Sequence, residues 1–232
     1  MDKQFEFIEN IHLIENNLNH IIYEFELKTP SYFRIAIESH NLLLRTMVEV
    51  LRGTSNAIVT NKFSDKEKRM LFKVGNKPEV LIQKSAVNKC KKAWRFSAPQ
   101  ETKTNQMNNN LARDFENSDY LIGFYDLLAM IQCDYFMKYH TQAKTIKISD
   151  DELAGLEWLH EEIRNKYEHF VPKSYGAPIY DLLTLANICI SICEEILVNS
   201  TNIYFIYDKG RFDELVNKIK QNITSSLKLY SA

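Results

Sequence analysis

Apolar residues return every third or fourth position at the start of the chain. Phe7, Ile8, Ile11, Ile14, Leu18, Ile21, Ile22 and Phe25 share one side of a helix predicted over residues 3–27. Pro30 and Ser31 interrupt the pattern, and Ser31 is a suitable N-cap for a second helix over 31–53. Its apolar stripe is Leu43, Leu44, Met47, Val50 and Leu51, with Gly53 just beyond the last periodic residue. The period then fails. Short runs such as "AIV", "MLFKV" and "EVLIQ" lie between turn residues over 54–117, which predicts an irregular or partly β insertion. The polar run "ETKTNQMNNN" reads as a loop.

Helical spacing resumes over 118–140, where Ser118 can cap and Ile122, Tyr125, Leu128, Ile131 and Tyr135 form a face. Ser149-Asp150-Asp151-Glu152 has the form of a capping box and starts a helix running to about Phe170. At about 100° per residue, Leu153, Leu156, Leu159, Ile163, Tyr167 and Phe170 fall on one packing stripe. Arg164, Asn165, Glu168 and His169 fall off it, facing away from the bundle. After Pro178, "IYDLLTLANICISICEEILVNS" is apolar almost all round, so it should be the most buried helix. An aromatic run, "IYFIYD", and a last amphipathic stretch form a helical extension over 201–232. The pattern predicts an all-α, up-and-down helical bundle, with residues 1–232 as a single domain.

Composition agrees: 45% apolar and 25% charged residues are ordinary globular values, and 6 Gly with 5 Pro favour long elements over tight turns. Acids and amides interrupt "MDKQFEFIENIHLIENNLNH" too often for the apolar core of a signal peptide. No stretch approaches the roughly 20 apolar residues of a membrane span, so the expected location is cytoplasmic, with no membrane partner. Cys90, Cys133, Cys189 and Cys193 read as buried thiols, with no histidine or cysteine pair at metal-ligand spacing. No metal or cofactor is expected. No Gly-rich phosphate loop is present, which disfavours a nucleotide-binding α/β fold.

Charge is unevenly spread. The chain totals −1, yet residues 62–103 hold twelve basic residues against four acids, a local +8 that leaves −9 on the rest. Such a segment suits a polyphosphate, and a solvated lysine-rich insertion would look the same. Within it, "KKAWRF" offers Lys91, Lys92 and Arg95 to phosphates and Trp94 to a base, unless Trp94 anchors the insertion to the bundle.

The remaining chemistry lies in "EEIRNKYEHFVP", residues 161–172. Pro172 closes the helix near His169, and a last-turn histidine is favoured as its cation by the helix dipole. Arg164 can hold a phosphate. A surface pair between Arg164 and Glu168 is the plainer alternative. His12, His20, His40, His140 and His160 are scattered, and His160 flanks the core stripe, where a satisfied structural histidine is expected.

Arg164, Asn165, Lys166-Tyr167-Glu168 and His169 resemble the nuclease motif of the HEPN superfamily, in which Arg, a polar residue, a short spacer and His stand near the end of a core helix. The resemblance implies an HEPN-like bundle and a metal-independent endoribonuclease. His169 would act as general acid or base, Arg164 would stabilise the phosphorane charge, and Asn165 would orient one of them. One motif per chain implies a homodimer that completes the cleft, with Trp158 as a candidate interface residue. The family context implies single-stranded RNA as substrate and a toxin or antiphage-defence (abortive infection) role, with an antitoxin or defence protein as a possible partner. Members modified by a nucleotidyltransferase antitoxin carry tyrosine two residues after the histidine, where this chain has Val171. The alternative function is a non-catalytic HEPN-like module that binds RNA or protein.

Overall fold

Four helices close a ring in the computed structural model, which describes residues 9–52, 123–132, 137, 143–168, 176–200 and 209–230. Helix α1 (Asn10–Glu26) packs on α2 (Tyr32–Arg52). Helix α2 also packs on α6 (Ile179–Glu194), α6 on α7 (Lys209–Tyr230), and α7 back on α1. The short α3 (Phe124–Met130) lies against α2. Helix α4 (Asp150–Trp158) runs into a π-helical segment, π1 (Leu159–Arg164), and then α5 (Asn165–Glu168). This rod lies outside the ring, with α4 on α6 and π1 on α2. Counting the α4–π1–α5 rod as one, six helices are thus packed together among the described residues, and no strand occurs there.

Each predicted stripe explains its own element. Ile11, Ile14, Leu18, Ile21 and Ile22 of α1 are buried, as are Leu43, Met47, Val50 and Leu51 of α2, while Leu44 is partly buried. The Ser31 Oγ accepts the Arg34 N–H at 3.4 Å and its carbonyl accepts the Ile35 N–H, so Ser31 caps α2. Helix α1 stops at Glu26 because Leu27 is already extended. Helix α6 buries Leu182, Leu183, Leu185, Ala186, Cys189, Ile190, Ile192 and Cys193, consistent with its nearly uniform apolar surface. Each large side chain buried this way contributes about 1.5–3 kcal/mol. Helix α7 buries Phe212, Val216, Ile219 and Ile223. Lys218 to Glu26 (2.7 Å) and Lys220 to Glu194 (2.6 Å) tie its exposed sides to α1 and α6.

Helix α3 buries Phe124, Leu127 and Leu128, and Ile131 joins them in the core, whereas Tyr125 sits at the margin. The segment 143–149 carries no periodic signal. It nevertheless buries Ala143, Ile146 and Ile148, and its Ile146 N–H binds the Ile131 carbonyl at 2.9 Å. No described helix is long and apolar enough to cross a membrane. The basic insertion at 54–117, with Lys91, Lys92, Trp94 and Arg95, lies outside the described residues, as do Ser118, Cys90, Cys133 and the aromatic run before α7.

Candidate functional site

The motif rod begins as its sequence requires. The Ser149 Oγ accepts the Glu152 N–H at 3.3 Å, and the Glu152 carboxylate accepts the Ser149 N–H at 2.8 Å. Such a reciprocal box satisfies two donors that the first turn would otherwise leave open. Asp150 and Asp151 add negative charge where the helix dipole is positive. Leu153, Leu156, Leu159 and Ile163 are buried as the stripe predicts.

The stripe then departs from α-helical expectation. In π1 the turn is wider, and the Asn165 N–H reaches back five residues to the His160 carbonyl. That extra residue per turn rotates the side chains beyond it. Tyr167, expected on the core stripe, is 40% exposed instead. Arg164, expected to face away from the bundle, is only part-exposed and its Nε is buried. Both departures have one cause: 100° per residue holds for an α-helix and fails across a π turn.

Arg164 Nη1 donates to Asn165 Oδ1 at 3.0 Å, so the two adjacent motif residues engage each other. Lys166 pairs with Glu162 one turn back. His169, together with Phe170, Val171 and Pro172, lies outside the described residues, as does the Glu168 side chain. The structure therefore brings together Arg164 and Asn165 of the three motif residues. Trp158 is 36% exposed on the same rod.

Beside the motif lies a cluster that spacing did not reveal. His40, on α2, has no exposed surface, and its Nε2 lies 3.0 Å from Nδ1 of His160 in π1. Phe124 stacks on His160 at 4.5 Å and 8°, and its ring centre is 4.6 Å from that of His40. Tyr125 presents its edge to His160 and donates its hydroxyl to Glu161 at 2.9 Å. Burial first, then the charges of His160 and Arg164, lower the His40 pKa to about 3, and the Asn41 side chain opposes this only weakly. His40 is thus neutral at pH 7. Its Nδ1 is buried without a hydrogen-bond partner. A bare lone pair there costs less than a buried, unsatisfied N–H, so His40 Nε2–H is assigned as donor to His160 Nδ1.

The same contacts place the Arg164 guanidinium within electrostatic reach of the His40–His160 pair. A guanidinium fixed by its neighbours suits an anion with paired oxygens, such as phosphate. The signal in the sequence was a polar residue, His40, at a core position of α2. Periodicity identifies such a residue but not the partner it meets 120 positions later.

Cys189 and Cys193 are buried, free thiols. Burial pushes Cys193 up to about 12 and Cys189 well above its ordinary value, so neither is a nucleophile near neutral pH. Among the described residues, no group of three or more His, Cys, Asp or Glu is placed to hold a metal ion. No protein-family model matches the chain, and it has no significant match among curated proteins or solved structures.

Proposed function

We propose that the chain is an HEPN-type, metal-independent endoribonuclease that works as a homodimer in a toxin or antiphage-defence setting. The observation that supports this best is the Arg164 guanidinium, held by Asn165 near the end of a helix that lies outside the four-helix ring. A phosphate bound there would meet a guanidinium already held in place by Asn165.

The RNA 2′-OH attacks the adjacent phosphorus and loses its proton to one His169. The P–O5′ bond breaks, and a second His169, from the other copy, protonates the leaving oxygen. The products are a 2′,3′-cyclic phosphate and a 5′-hydroxyl. Arg164 stabilises the charge that builds on the phosphorane oxygens, and Asn165 sets the direction of the guanidinium.

Purified protein should cleave single-stranded RNA in EDTA and leave cyclic-phosphate ends. His169→Ala should reduce the rate by about 100-fold or more, with the helical circular dichroism unchanged. Cleavage by His169→Ala at the wild-type rate would remove the assignment. RNA held but not cut, with an affinity that falls steeply with salt and on neutralising Lys91, Lys92 and Arg95, would favour a non-catalytic RNA-binding module.

A further inference from the structure

The π1 segment is held against α2 in two ways. Leu159 and Ile163 are buried, and such apolar contacts press the segment down without fixing its rotation, because hydrophobic attraction has no direction. The second contact is directional: His40 Nε2–H donates to His160 Nδ1 at 3.0 Å. Phe124 stacks on the His160 ring, Tyr125 meets it edge-on, and the Tyr125 hydroxyl donates to Glu161, the next residue along. The His160 ring is therefore held from α2 and from α3 together.

The same residue closes the wide turn. Its carbonyl accepts the Asn165 N–H, and Asn165 Oδ1 accepts from Arg164 Nη1 at 3.0 Å. A continuous series of hydrogen bonds thus runs from buried His40, through the ring and carbonyl of His160 and through Asn165, to the motif guanidinium. If π1 wound as an α-helix, the 100° stripe would turn Arg164 out to solvent and Tyr167 in. The histidine pair opposes that rotation, since turning the rod about its axis carries His160 Nδ1 away from His40.

Stability does not account for the pair. His40 has no exposed surface and its Nδ1 is buried without a hydrogen-bond partner, and apolar side chains of the same shape would hold the core as well or better. What they would not supply is a fixed direction.

We infer that His40 and His160 are positioning residues for Arg164 and Asn165: their hydrogen bond holds the π turn that sets the guanidinium. Its consequence for turnover rests on the nuclease reading, and the placement of the guanidinium does not.

Hydrogen exchange at the Arg164 Nε–H tests the placement, followed by NMR in the full chain with isotope-labelled arginine and assigned by loss of the signal in Arg164→Lys. Because that Nε is buried, the wild-type signal should exchange slowly. His40→Leu removes the donor and should speed exchange by about tenfold or more, whereas His40→Gln restores a donor and should stay within about twofold of wild type. His160→Phe keeps a ring on Phe124 and removes Nδ1, so it should match His40→Leu and tests the same contact if that variant does not fold. Val216→Ala truncates the core on α7, which packs on α1 and α6, and should leave the exchange unchanged. In RNA cleavage, His40→Leu should lower kcat by about 10–100-fold with KM within about twofold, and His40→Gln should recover it. Wild-type exchange in both His40→Leu and His160→Phe, equal exchange in His40→Leu and His40→Gln, or an equal rise in Val216→Ala overturns the inference, as does an unchanged kcat in His40→Leu. If the wild-type protein cuts no RNA, the nuclease reading falls while the exchange rates still decide this one.

Discussion

His40 links burial to pH dependence. Its folded pKa of about 3 lies below the ordinary value of 6.5, so between those limits the unfolded chain binds one more proton than the folded one. This contribution to stability is complete above about pH 6.5 and is lost as pH falls, at about 1.4 kcal/mol per unit. His40→Gln keeps a donor for His160 Nδ1 and removes the titration. In urea unfolding, the stability advantage of wild type over His40→Gln should therefore shrink by about 2 kcal/mol between pH 6.5 and pH 5. A constant difference across that range would show that His40 is not the group responsible. The same residue shows a limit of sequence reading. Its core position is visible in the α2 pattern, but its neutral state depends on burial first and then on the charges of His160 and Arg164, which come from a distant helix.

The motif rod shows how a local rule can hold and then fail. Its start was legible, because a capping box involves residues three apart and needs no tertiary partner. Its end was not, because the π turn depends on what the rod packs against. In the α4 half, Gly155 allows close approach to α6: a Cβ there would meet Leu185 Cδ2 at 3.1 Å and Ile188 Cδ1 at 3.2 Å. Both are tips of flexible side chains that can yield slightly, and alanine favours the helix by about 1 kcal/mol. Gly155→Ala should therefore change stability by less than about 1 kcal/mol. Gly155→Leu should cost about 2–3 kcal/mol through overpacking. Urea midpoints with unchanged slopes would check both, and equal stability of wild type and Gly155→Leu would contradict the close packing.

For the whole molecule, the four-helix ring leaves α4, π1 and α5 on its outside, where a second copy could reach Arg164 and Asn165. On the proposed nuclease reading, with one motif per chain, the 27.2 kDa chain should sediment as a dimer, and its specific activity should fall on dilution below the dimer dissociation constant. Activity per chain that is constant through dissociation to monomers would contradict the two-copy cleft. The helical class, most of the helix spans, the buried faces of α1 and α2, the all-round apolar character of α6, and the caps at Ser31 and Ser149 were all legible from the chain alone. They rest on spacing and near-neighbour hydrogen bonds, which are encoded within a few residues. Packing between helices set the π turn, the inward rotation of Arg164, the outward rotation of Tyr167 and the pairing of His40 with His160. Each depends on contacts between helices far apart in the chain, and a one-residue change of turn reverses which side chain faces the core.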